Sequence, residues 1–267
     1  MWRTVSLLVV CAVLLVSGCS IGPDTDSGLS EDGEARATAS RPRFQMPVRN
    51  GESWSVSTWV GHSPDRAADL NWGSTAEADF GRPIVASFGG KVITSAYSTS
   101  TGYGNYVVVD HGGGWTTWYC HLDSRSVSAG QLVSRAQQIG TCGHSSATYT
   151  FATHLHYEQR LNNVCQNIYF DGTGLVYYQK KNYTSKNCTF YVNTAGSPLT
   201  VRSGPGTGFA AVGSVADGAA VKIYKQAYGS TVSGTYGTST IWDYIGSGWV
   251  SDAYVYTGTD GLVAPLQ

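Results

Sequence analysis

GNYVVVDHGGGWTTWYCHL, residues 104–122, decides the fold. Two β-rich runs, Val107–Asp110 and Trp115–Leu122, flank a glycine cluster. β-Branched and aromatic residues favour strands, and glycine supplies the backbone freedom a tight reversal needs. The stretch reads as a hairpin. IVASFGGKVITSAY, residues 84–97, repeats the device with a glycine pair, and a second hairpin is predicted there. GQLVSRAQQIG (130–140) and THLHYEQRL (153–161) follow. Phe44 to Leu175 therefore reads as one antiparallel sheet system.

The composition agrees. Charged residues make up 13% of the 267, against roughly 25% in an average globular protein. Gly, Ser, Thr and Tyr fill the gap, which suits short strands and many turns, and no long amphipathic helical pattern stands out. The fold class is mainly β. A formal net charge of −1 leaves no basic footprint for nucleic acid.

A second unit starts near Thr189. PLTVRSGPGTGFAAVGSVADGAAVKIYKQ (198–226) and IWDYIGSGWVSDAYVYTG (241–258) carry short strands spaced by Gly and Pro turns, as in a small β-barrel. VYYQKKNYTSKNC (176–188) between the units reads as connector plus a strand. The expected domains are a leader at 1–19, a tether at 20–44, a first β domain at 45–175, a connector at 176–189 and the small barrel at 190–258.

The first nineteen residues, MWRTVSLLVVCAVLLVSGC, have Arg3 at the positive end and an apolar run too short for a comfortable membrane span. They end in Val16-Ser17-Gly18-Cys19, which resembles a bacterial lipobox, in which Cys19 carries lipid. The alternative is an ordinary cleaved signal peptide. The next 25 or so residues are polar and small; such a chain stays unfolded and spans roughly 25–30 Å. The protein is thus expected outside the cell, attached to the membrane through lipid.

Export implies an oxidising compartment. Of the six cysteines, Cys11 leaves with the leader and Cys19 takes lipid. Cys120, Cys142, Cys165 and Cys188 remain. Pairing Cys120–Cys142 and Cys165–Cys188 closes two loops of about 20 residues, each worth roughly 3 kcal/mol. The competing reading, a zinc site of four thiolates, lacks any C-x-x-C.

All six histidines lie between positions 62 and 156. On a strand, His154 and His156 point to the same face while Leu155 points to the other. Catalytic zinc keeps three protein ligands and one open position for water, and two histidines with one aspartate supply that count. His62, Asp69 and His156 are the candidate ligands. His121 and His154 remain as proton carriers or oxyanion stabilisers. His111, at the hairpin turn, reads as a structural imidazole bonded to backbone. His144 reads as a solvated loop histidine, and Glu158 as a surface carboxylate, its alternative being to orient a ligand imidazole from behind.

GHSPDRAADLNW, GRPIVASFGGKV, GYGNYVVVDHGGGWTTWYCHLDS, GQLVSRAQQIG and THLHYE follow one another in an order that resembles the lysostaphin/LytM-type zinc peptidoglycan endopeptidases, over about residues 60–160. The resemblance implies an antiparallel β core with a loop-lined groove. It implies hydrolysis of peptide bonds in peptidoglycan stem peptides or cross-bridges by a zinc-activated water, with peptidoglycan as partner and the chain as a monomer. It assigns His62, Asp69 and His156 to zinc, and His121 and His154 to substrate, water and the transition state. The commonest family spacing, H-x-x-x-D, would put a histidine where this chain has Asp65, so Asp65 is a substitute ligand candidate. A non-catalytic relative that binds wall or activates another hydrolase is the alternative reading. VNTAGSPLTVRSGPGTGFAAVGSVADGAAVKIY (192–224) with the closing GWVSDAYV resembles a bacterial SH3-like domain. That resemblance implies wall binding, with Tyr224, Trp242, Tyr244 and Trp249 either as an aromatic binding surface or as the barrel core.

Overall fold

The computed structural model describes residues 40–258 and 261–267. The leader, Cys11, Cys19 and most of the tether lie outside the described residues. The chain is nearly all β. Its first part contains β1 (Ser53–Ser57), β2 (Ala68–Asn71), β3 (Pro83–Val85), β4 (Gly90–Ser98), β5 (Gly104–Asp110), β6 (Trp115–Leu122), β7 (Ser124–Arg125), β8 (Leu132–Val133), β9 (Gln138–Thr141), β10 (Leu155–Leu161), β11 (Val164–Gln166), β12 (Tyr169–Phe170), β13 (Thr173–Gly174) and β14 (Lys180–Thr184).

The large sheet runs β14-β1-β2-β10-β6-β5-β4-β8, with β11 added beside β10. The hairpin of residues 104–122 forms as β5 and β6. The strand in 176–188 is β14, which pairs with β1 at the sheet edge. The second predicted hairpin does not form. β3 pairs with β9 in a separate sheet, β3-β9-β7, while β4 pairs with β5 and β8. Gly89 and Gly90 serve close approach instead. A Cβ on Gly90 would stand 2.3 Å from the Asp110 carbonyl oxygen, and one on Gly89 2.6 Å from Ala264 Cβ.

Period-two patterning positions the core. Leu70, Val107, Val109, Tyr119, Leu155 and Tyr157 are buried together with Trp54, Ile84 and Ile139 between the sheets. The alternate residues of β2 and β10, Asp69 and His156, face the other way.

The second part holds β15 (Phe190–Val192), β16 (Leu199–Arg202), β17 (Ala211–Val215), β18 (Ala220–Val221), β19 (Lys225–Gly234), β20 (Gly237–Tyr244), β21 (Trp249–Ser251) and β22 (Val255–Tyr256). Its core gathers Phe190, Val192, Val201, Ile223 and Val250. Trp242 and Trp249 are buried against Ala227, with Tyr244 packed alongside, so both indoles are core rather than a binding surface. The two parts touch: Arg135 Nη2 donates to the Thr257 carbonyl, the Ile223 amide to Ser134 Oγ and the Gly89 amide to Val263 O.

Residues 41–44, expected as tether, are packed. The Arg41 guanidinium lies over Trp115 and Tyr169, and Phe44 is buried beside Phe88, Trp115 and His111. An aromatic ring and a stacked guanidinium gain more from this contact than a solvated chain would.

All four described cysteines are free thiols, so neither expected disulfide is present. The members of the second pair face different neighbours. Arg135 Nη2 lies 3.8 Å from Cys188 Sγ, whereas burial, then the charge of Glu158, pushes the Cys165 thiol up to about 12. Cys120 is buried on the strand directly opposite His156, and Cys142 is buried just past β9.

Candidate metal centre and its groove

Strand register builds the site. β2 and β10 are antiparallel neighbours, and Asp69 stands directly opposite His156. Residues directly opposite project from the same face, about 4.5–5.5 Å apart. His62, from the loop before β2, closes over them. His62 Nε2 lies 3.2 Å and His156 Nδ1 3.3 Å from Asp69 Oδ1. The ligand atoms of His62, Asp69 and His156 all lie within 4.8 Å of one another, and all three residues are buried.

The hydrogen bonds set which nitrogen each ring presents. A backbone carbonyl can only accept. His62 Nδ1, 3.0 Å from the Ala67 carbonyl oxygen, is therefore the donor, and Nε2 is left toward Asp69. His156 is turned the other way round: Nε2 lies 3.0 Å from Glu158 Oε1, and Nδ1 faces Asp69. Neither imidazole is aligned to donate to Asp69 Oδ1, which is buried without a hydrogen-bond partner. An orphaned carboxylate oxygen between two ring nitrogens fits a shared metal ion. Two imidazoles and one carboxylate match zinc.

The electrostatics match as well. Burial would raise the Asp69 carboxyl, but the flanking His156 and His62 and the charge of His154 hold it well below the usual range. Burial would lower His156, but Asp69 and Glu158 outweigh it and push the imidazole up to about 9. The pocket is thus built for positive charge.

His121 reaches the groove through a bulge. Asn105 stands opposite Leu122 and Val107 opposite Tyr119, so Cys120 and His121 face only Tyr106 on β5. His121 takes φ +62°. A bulge re-aims a side chain; here Tyr119 stays in the core, its hydroxyl accepting from the Ser87 amide, while His121 swings out. Tyr119 and His121, two residues apart, therefore point to different faces. His121 Nδ1 faces the Ser145 carbonyl at 3.1 Å and His154 Nδ1 the Ala152 carbonyl at 2.9 Å. Each Nε2 is left to accept or carry a proton. The two rings are 4.9 Å apart, and Phe151 packs on both. Burial, then His154 and His156, pushes His121 down to about 3.

A groove of about 350 Å³ takes in His62, Asp69, His121, His154 and His156, walled by Trp59, Tyr103, Tyr149 and Phe151. Asp65 lies outside it, exposed and paired with Arg66 at 3.5 Å. His144 is half-exposed and tied to Glu77 and Thr153. His111 is structural, bonded to the Gly89 carbonyl and Thr117 Oγ1. Glu158 corrects the surface reading: it is fully buried. Sequence reasoning missed Tyr103 and the Phe151 roof. Gly102 and Gly104 around Tyr103 were the available signal, because a Cβ on Gly104 would collide with the Ser145 carbonyl at 2.1 Å.

Residues 70–168 match the profile of Peptidase family M23. The chain carries an M23 peptidase domain. His121, His154 and His156 lie inside the matched stretch of the M23 domain, while Asp69 and His62 lie just before it. YraJ, an uncharacterized protein of Bacillus subtilis, is 49% identical over 84 residues, which span 28% of this chain and 71% of YraJ. ShyC, a peptidoglycan DD-endopeptidase of Vibrio cholerae, is 37% identical over 95 residues, 36% of this chain but only 21% of ShyC. The solved catalytic domain of the antimicrobial peptidase lysostaphin from Staphylococcus simulans is 22% identical with a TM-score of 0.34, covering 46% of this chain and 86% of that domain.

Proposed function

We propose that the protein is an exported, lipid-anchored zinc metalloendopeptidase that hydrolyses peptide bonds in peptidoglycan. The single observation that carries this reading is the convergence of one ligand atom each from His62, Asp69 and His156 within 4.8 Å, beside two further imidazoles in one groove. The M23 domain and the similarity to ShyC, a peptidoglycan DD-endopeptidase, support the substrate class.

His62, Asp69 and His156 would hold the metal. When bound, zinc supplies Lewis acidity, polarising a peptide carbonyl and acidifying water. Asp69 brings the negative charge that keeps a divalent cation in a buried pocket. His121, neutral at neutral pH with Nε2 free, accepts a proton from attacking water or donates a hydrogen bond to the developing oxyanion after protonation. His154, against the same Phe151 ring, delivers a proton to the leaving amine. Trp59, Tyr103 and Tyr149 line an extended peptide's path. The second unit, as an SH3-like module, holds the enzyme to wall, and the tether from Cys19 sets its reach from the membrane.

The test is turbidity loss of purified cell walls, with mass analysis of the released fragments. The chain is expected to clear walls, to stop on chelation and to resume on zinc addition. One zinc per chain without chelator-sensitive cleavage would favour a wall-binding scaffold instead.

A further inference from the structure

We propose that Glu158 is a positioning residue: held by Tyr103 and Arg160, it fixes the His156 ring so that Nδ1 alone faces the metal centre. This rests on the reading of His62, Asp69 and His156 as ligands.

The geometry is a closed set of contacts behind the site. Glu158 lies two residues beyond His156 on β10, whose pairing with β6 is regular from His156 to Leu161, so both side chains share a face. Glu158 Oε1 lies 3.0 Å from His156 Nε2 and also accepts from the Tyr103 hydroxyl at 2.8 Å. Glu158 Oε2 accepts from Arg160 Nε. Arg160 Nη2 donates to the Tyr103 hydroxyl oxygen at 3.1 Å, closing the ring. The Arg160 guanidinium lies 4.0 Å over Trp118, the residue directly opposite Glu158 on β6.

A buried carboxylate survives only when its charge and lone pairs are met. Here Arg160 meets the charge at Oε2, and Oε1 takes the Tyr103 hydroxyl on one side and faces His156 Nε2 on the other. A carboxylate has no hydrogen to give, so Nε2 must carry one, and the lone pair of the neutral ring sits on Nδ1. The brace therefore sets both the orientation and the tautomer of this ligand. His62 obtains the opposite orientation from the Ala67 carbonyl, which leaves the two imidazoles presenting different nitrogens to one point. The competing view is an Arg160–Glu158 ion pair that stabilises the sheet without touching metal binding.

The test measures zinc affinity of the full chain against a competing chelator, with circular dichroism of the metal-free protein as a folding control. Glu158→Ala is expected to weaken zinc binding about 10- to 100-fold, the usual loss when a ligand imidazole's partner is removed. Glu158→Gln keeps an oxygen for Nε2–H and should recover binding to within about tenfold of wild type. Tyr103→Phe, which removes only the hydroxyl, should weaken it by roughly three- to tenfold. Wild-type affinity in Glu158→Ala overturns the brace; so does a Gln variant as weak as the Ala variant. If Glu158→Ala fails to fold, wild-type affinity in Tyr103→Phe overturns it. A wild-type chain that takes up no zinc overturns the ligand reading and the brace together, which separates that failure from the others.

Discussion

His111, in the turn between β5 and β6, and His156, on β10, are buried alike, each 4% exposed. Their surroundings are opposite. His111 has a carbonyl and a hydroxyl for partners and the rings of Phe44 and Phe88 around it. Burial outweighs the Gly89 carbonyl and the nearby Asp110 charge and pushes its pKa down to about 4. His156 is equally desolvated, yet Asp69 and Glu158 overrule burial and raise it to about 9. Burial makes a histidine neutral; buried carboxylates beside it make a place for a cation. Depth does not separate a structural imidazole from a ligand, but the charge of its partners does.

The largest expected effect sharpens the site side of this contrast. His121→Ala should keep zinc and lose about 100- to 10,000-fold in wall cleavage, the range for a lost general acid–base group. Wild-type cleavage in that variant would break the assignment of His121. On the structural side, His111→Ala should leave zinc content unchanged and cost about 2–4 kcal/mol in urea unfolding, from a cavity plus two unpaired polar groups. Loss of zinc from a stably folded His111→Ala chain would erase the distinction.

The pH dependence follows from the same contrast. The His111 pKa is lower folded than unfolded, so between pH 6.5 and 4 the unfolded chain binds more protons. Its contribution is intact above the unfolded pKa of about 6.5 and is lost as pH falls toward 4, by up to about 3 kcal/mol. Unfolding of wild type and His111→Leu across that window should show the Leu variant losing less on acidification. Identical slopes would contradict the burial account. The smallest effect expected is for Thr117→Val, which removes the hydroxyl bonded to His111 and Tyr119 and should cost about 1–2 kcal/mol by thermal unfolding.

Much of this was legible in the residues. The runs on either side of Gly112–Gly114 announced the β5–β6 hairpin, and H-x-H on a strand put His154 and His156 on one side. Asp69 and His62 are seven residues apart, but a loop and a strand register bring them together; the ligand count of zinc nominated them and the family resemblance assigned them. What stayed hidden came from packing. A bulge obeys no alternation, so the outward turn of His121 away from Tyr119 was invisible. Glu158 looks like any surface carboxylate until Tyr103, 55 positions away in the chain, is folded against it. Gly89–Gly90 looked like a turn because steric need at Asp110 and Ala264 leaves the same mark on a sequence as a reversal does. Cysteine spacing suggested short loops to close, but the thiols are held against Arg135, Glu158 and the core.

The most direct measurement of the central claim is zinc content per chain for wild type and Asp69→Ala, after dialysis against a slight zinc excess. The account predicts about one zinc in wild type and none in the variant, with both folded. A wild-type chain without zinc, or an Asp69→Ala chain that retains it, would contradict the claim that this carboxylate, between two imidazoles, is the centre of the site.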